Sequence, residues 1–329
     1  MTLSLTCTNS IWARLGAVAV AALALLSAAP VQAQGNPTFT YGSADAAPAP
    51  KTVEWKVQAK GGAIATTGNS TSANAIFGLG ASRKEGNNKL ALDGAIAYGR
   101  STVWTAVPNA SGAVIGLDGK ATTTTNNWNS KGRYDRFFTL NNSGFISALA
   151  AADQIGGKSF YGGGQIGYSR QLLKSPMHLV VAELGYDLSY ERYVSQPNKT
   201  LDPVTIHSAR LFVGETLKLS AVTGISASAE ALFNLNKEGS AYKYNSASMP
   251  EQGVDALHDT RVIGKIGLTT TLAKSLSFGF SFAVKYDQNP APRPLPPGTP
   301  DGEQYAPTFF PFADRVDTIT EATLLYTFL

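Results

Sequence analysis

The chain has 329 residues, of which 43% are hydrophobic and only 15% charged, with a formal net charge of +4. Its mean hydropathy of -0.05, with no apolar run of spanning length after the first 33 residues, excludes a helical membrane protein. So small a charge, with basic and acidic residues interspersed, leaves no nucleic-acid footprint, and 1 cysteine allows no disulfide framework.

In chain order, residues 1–33 read as a secretory signal peptide. Arg14 precedes an apolar run from Leu15 to Leu26, and Val31-Gln32-Ala33 forms a small-residue cleavage site. Cys7 lies before the run, so cleavage after Ala33 removes it and rules out thiol chemistry in the exported chain. Residues 34–52 end in Ala47-Pro48-Ala49-Pro50 and read as a disordered periplasmic lead-in.

From Val53 the pattern changes to a period of two. Trp55, Val57, Ala59 and Ala63 alternate with Lys56, Gln58 and Lys60. After Thr66 to Ser70 come Ala73, Ala75, Phe77, Leu79 and Ala81, then Leu90, Leu92, Ile96 and Tyr98, with Asn74, Ser82, Lys89 and Asp93 on the other side. Strands of about 14 to 17 residues exceed the globular norm but cross a bilayer at a tilt. A Gly-, Thr- and Asn-rich stretch from Thr105 to Asn127 reads as a long loop. Beyond it, Trp128, Tyr134, Phe138 and Leu140 oppose Asn129, Lys131, Arg133 and Asp135.

Strands then follow from Phe145 to Ile155, Phe160 to Leu173, His178 to Val194, Thr205 to Ala221 and Ile225 to Asn236. A polar loop from Lys237 to Leu257 precedes strands Asp259 to Leu272 and Leu276 to Asp287. The prolines between Gln288 and Asp314 forbid a central strand there. Val316 to Phe328 closes the chain, with Leu324, Tyr326 and Phe328 on one face. This resembles the aromatic terminal signal that barrel insertion machinery reads, displaced one place by Leu329. About twelve strands, short turns on one side and the long connections on the other define an all-β fold, a closed antiparallel transmembrane β-barrel over residues 53–329 in the outer membrane of a Gram-negative bacterium, in contact with its lipids.

Thr67-Gly68-Asn69-Ser70, Arg133 to Phe137, Asp153, Gly164 to Tyr168, and Leu184-Gly185-Tyr186 with Tyr190-Glu191 together resemble the YdiY-like family of putative salt-induced outer-membrane proteins. The resemblance covers residues 53 to 329. It implies a bacterial outer-membrane barrel and leaves the molecular activity open.

Parity places Lys56, Lys60, Lys131, Arg133, Arg210, Lys218, Arg261, Lys265 and Lys285 inside the barrel, with Asp93, Asp135, Glu183, Asp187, Glu191, Glu230, Asp317 and Glu321. Such a lumen passes ions or small polar solutes, or else pairs with itself and conducts nothing. A non-conducting barrel would act through its outer loops on lipopolysaccharide or a partner, and an envelope-integrity role fits either state. A lipid hydrolase would need a Ser and a His on one face, but His207 alternates with Ser208 and leaves only Thr205 beside it. Strand glycines lack a phosphate-loop context and the three histidines lack ligand spacing, so no enzyme activity, cofactor or metal is expected.

Overall fold

The computed structural model describes residues 53–66, 71–108, 114–196, 200–244, 251–295 and 310–328. The expected signal peptide, the lead-in and the Thr67 to Ser70 motif lie outside them. In chain order the strands are β1 (Glu54–Thr66), β2 (Ser72–Glu85), β3 (Asn88–Pro108), β4 (Val114–Phe137), β5 (Asn142–Asp153), β6 (Lys158–Lys174), β7 (His178–Tyr193), β8 (Val204–Lys218), β9 (Thr223–Asn234), β10 (Glu238–Tyr242), β11 (Gln252–Val254), β12 (Arg261–Ala273), β13 (Leu276–Asp287) and β14 (Val316–Thr327). All but β10 and β11 close into one barrel of 12 antiparallel strands, in which β9 pairs with β12 and β14 returns to β1.

Alternation makes these strands, and the solvent on each side decides which face carries what. In β8, Ile206, Ser208, Arg210 and Phe212 are buried, whereas Leu211 and Val213 on the alternate positions are 46% and 50% exposed. Leu92, Ile96, Ile146, Ile166 and Leu184 likewise point out, while Lys131, Arg133, Asp135, Glu183, Asp187 and Glu191 are buried. This inverts a soluble protein and matches an apolar outer band in lipid. The shortest barrel strands have 12 residues, about 40 Å of chain, which at a tilt of about 40° spans roughly 30 Å of hydrocarbon.

Register corrects the expected loop at 105–127. β3 and β4 pair out to Pro108↔Val114, so most of that stretch is a hairpin rising beyond the barrel. Its Thr and Val residues favour extended chain more than its Gly and Asn residues oppose it. A register shift at Gly99/Arg100 leaves Thr124 as the extra residue of a bulge at the hairpin's base. The expected loop at 237–257 also holds structure, since β10 and β11 pair there. Described parts of the proline-rich segment form only an isolated bridge, Pro292↔Phe312.

Turns joining β2 to β3, β4 to β5, β6 to β7, β8 to β9 and β12 to β13 are all short and share one rim, here the inner rim. At the outer rim, Val204 and Ile206 of β8 pack with Ala241 and Val254 from the β10–β11 pair, flanked by Tyr193. The Tyr242 ring packs tilted against Phe310 at 4.7 Å, Phe310 meets Phe312 edge to face at 5.4 Å, and the Arg315 guanidinium lies 4.0 Å from the Tyr244 ring. Tyr244 also donates its backbone N–H to Asn289 Oδ1 at 2.7 Å, tying the two long outer connections together.

Candidate functional site

A period-two strand in a closed barrel sends every second side chain into the lumen, and the charged ones must find partners or water there. At mid-height β4, β7, β8 and β9 supply an ion network. Glu183 accepts hydrogen bonds from Arg133 Nη2 at 2.7 Å, Arg133 Nη1 at 3.1 Å and Arg210 Nη1 at 2.7 Å. Arg133 also donates to Asp135 at 2.7 Å, and Arg210 Nε to Glu230 at 2.5 Å. Phe145 of β5 lies beneath both guanidiniums, 4.1 Å from Arg133 and 5.5 Å from Arg210. Room for its ring comes from Gly167 on the neighbouring strand, where an added Cβ would lie 2.7 Å from Phe145 Cζ.

A polar relay runs outward from this network. Lys131 donates to Gln165 Oε1 at 3.2 Å, and Gln165 Nε2 donates to Asp187 at 2.9 Å. Nearer the outer rim, Glu191 receives Lys158 at 2.7 Å and Arg261 at 3.4 Å. Lys285 stands directly opposite Asp317 in the β13–β14 ladder. Across the β1–β14 seam, Lys60 meets Glu321 at 3.8 Å.

Two cavities flank the network. One of about 640 Å³ opens at the inner rim and is lined by Lys56, Lys60, Asp93 and Lys218 among others. The other, of about 250 Å³, lies toward the outer rim and is lined by Asp187, Lys265, Lys285 and Asp317 among others. Asn129, Thr216 and Ser226 line both. The seventeen charged residues singled out by parity thus lie on the lumen side, where Glu183, Arg210 and Glu321 are held by partners and line neither cavity.

Parity missed Lys158 and Lys174, whose side chains also reach the lumen. Register shifts at Lys158/Phe160 and Gln171/Leu173 each insert one residue, Ser159 and Leu172, and so reverse the face that follows. Ser159 Oγ donates to the carbonyls of Arg192 and Tyr193, the local mark of the first bulge.

Above the lumen, fully buried Asn234 at the end of β9 ties the cap to the barrel. Its Nδ2 donates to Glu238 Oε1 at 2.9 Å and its Oδ1 accepts the Asp259 N–H at 3.0 Å. Burial pushes the Glu238 carboxyl up to about 7, helped by the nearby charges of Glu191 and Asp287 and opposed by Asn234 and Arg261. Burial likewise raises Asp259 well above the usual carboxylate range, with Asp287 the next cause.

The histidines are scattered. His207 is hydrogen bonded to Tyr186 on the outward face, while Ser208 is buried in the lumen beside Arg261. His178 meets Glu215 at 3.1 Å near the inner rim, and His258 contacts the Ala256 carbonyl. Among the described residues no cluster of His, Cys, Asp and Glu is placed to hold a metal ion.

A closed antiparallel barrel with apolar side chains outside and ion pairs inside is a membrane β-barrel of the outer-membrane class. The family described as "Protein of unknown function, DUF481" matches residues 59–328, and the chain belongs to it. Among curated proteins none matches. Solved structures similar to the chain include the translocator domain of the autotransporter NalP from Neisseria meningitidis, at 12% identity over 95% of each chain with a TM-score of 0.36. The outer membrane channel DcaP of Acinetobacter baumannii is similar at 12% identity over 86% of this chain and 99% of that one, with a TM-score of 0.33. A bacterial polysaccharide outer membrane secretin is similar at 7% identity, 85% and 99% coverage and a TM-score of 0.33.

Proposed function

We propose that this protein is a passive, non-enzymatic conduit for ions and small polar solutes in the outer membrane of a Gram-negative bacterium, reached by export on a cleaved signal peptide. The observation that carries this reading is the pair of charged cavities that share Asn129, Thr216 and Ser226 in their linings, so that polar side chains line the lumen on both sides of the ion network. Salt movement needs such a lining, because an ion leaving bulk water must be offered replacement charges or dipoles.

The test is conductance of the refolded full chain in a planar bilayer. Discrete current steps are expected, and their size should change when Lys131 or Asp187 is neutralised. The second reading, a non-conducting barrel acting through its outer surface, is favoured by the aromatic cap over the outer rim. Replacing residues 288–315 with a short Gly-Ser linker separates the two. Larger steps in that variant fit a conduit narrowed by its cap, whereas silence in both proteins overturns the conduit.

A further inference from the structure

The charges of the lumen are unevenly divided. The outer cavity is lined by 6 basic residues and 8 carboxylates, close to balance. Among the described residues, the inner cavity is lined by Lys56, Lys60, Lys89, Arg133, Lys174 and Lys218 against Asp93 and Asp135. These cations come from β1, β3, β4, β6 and β8, so they are spread along the β1-to-β8 arc of the barrel, with none from β9, β12, β13 or β14. Arg133 is held by Asp135 and Glu183, and Lys60 is within 3.8 Å of Glu321. Lys56 and Lys218 stand on nearly opposite sides of the inner mouth, and neither has an ion-pair partner among the described residues.

We infer that the inner cavity is an anion site, which makes the conduit selective for small oxyanions of the phosphate and carboxylate type over cations. This rests on the conduit reading and names its solute class. An excess of one sign of charge along a low-dielectric wall raises the local concentration of counter-ions and repels co-ions. The chemistry of these cations suits passage more than capture. Lysine ammoniums are hydrated, mobile point charges, whereas the guanidinium that could grip an oxyanion with two parallel bonds is already bound to Asp135 and Glu183. A volume of about 640 Å³ accommodates such an anion with part of its water shell.

The experiment compares the full-length protein with a Lys56→Glu, Lys218→Glu double variant. Both positions lie at the inner mouth and outside the Glu183 network, so folding is checked simply by heat-modifiable mobility on a gel. Under a salt gradient the reversal potential of the unaltered protein should give a chloride-over-potassium permeability ratio of roughly threefold or more, falling to parity or below in the variant. Inorganic phosphate should also reduce the chloride current of the unaltered protein more than that of the variant. Current without anion preference, or a preference the variant keeps, overturns the anion site and leaves the conduit standing. Should no current appear, calorimetric titration with pyrophosphate decides: binding lost in the variant upholds the site and removes the conduit, and absence of binding removes both.

Discussion

Replacing Glu183 with Gln keeps the shape of the side chain and removes the one negative charge that two buried guanidiniums share. Both Glu183 and Arg210 side chains are 0% exposed, and three charge-assisted hydrogen bonds of 2.7 to 3.1 Å end on this carboxylate. Breaking one member of a buried ionic cluster costs about 3 to 5 kcal/mol, because the charges left behind remain desolvated. Arg133 keeps Asp135 and Arg210 keeps Glu230, so the expected loss lies at the lower end, about 3 kcal/mol. Glu321→Gln serves as the contrast. Its pair with Lys60 spans 3.8 Å with both side chains partly exposed, and removing it should cost less than about 1 kcal/mol. Urea unfolding in lipid vesicles, followed by tryptophan fluorescence, measures both. Equal midpoints for the two variants would refute the claim that the mid-height network is dry and mutually dependent.

Gly167→Ala should lower stability by about 1 to 3 kcal/mol in the same assay, because the new methyl would sit 2.6 Å from the Leu184 carbonyl oxygen and 2.7 Å from Phe145 Cζ. Gly264→Ala, where nothing lies within 4 Å, is its neutral control. The cap should loosen as pH rises. Glu238 is raised from 4.5 to about 7, so the folded cap favours its protonated form. Its contribution is whole below the ordinary carboxylate range and is lost as pH passes through about 7, a change of no more than about 3 kcal/mol. Asp259 is shifted in the same direction. Hydrogen exchange of the β10 and β11 amides, corrected for intrinsic rate, should be faster above this window than below it. Glu238→Gln should flatten that dependence, and an unchanged profile would count against the cap being held by a neutral carboxyl.

Most of the barrel was legible because its two solvents write a strict alternation into the strands. Lys131, Arg133 and Asp135 on β4 are spaced two apart, as are Trp128 and its outward neighbours, and nothing but a strand between lipid and a polar lumen satisfies both sets. Alternation fails wherever the backbone inserts a residue. The bulges at Ser159 and Leu172 turned Lys158 and Lys174 inward from positions that read as turns, and no side-chain pattern marks a bulge in advance. The projecting β3–β4 hairpin was hidden for another reason. Outside the bilayer both faces of a hairpin are wet, so the hydrophobic contrast on which the pattern depends disappears. The cap did leave a trace in the sequence: Val204 and Ile206 are apolar on the inward parity at the outer rim, which makes sense only if something apolar covers them.

The space left in the lumen follows from how the charges pair. Arg133 on β4 reaches Glu183 on β7, and Glu183 reaches Arg210 on β8, so the bonds run as chords across one sector of the barrel. Phe145 and Phe212 fill the space beside those chords, with Arg210 5.3 Å from the Phe212 ring. Glu183 and Arg210 consequently line neither cavity, and the inner cavity lies against β1, β2 and β3, where small residues such as Gly78, Gly80, Ala91 and Ala95 leave room beside Lys60 and Asp93. A barrel whose every lumen charge was satisfied in this way would be a plug. This one pairs Arg133, Arg210 and Glu183 along one sector, pairs Lys158 and Arg261 with Glu191 nearer the outer rim, and leaves Lys56 and Lys218 at the inner mouth without an ion-pair partner among the described residues, the feature on which the proposed anion preference depends.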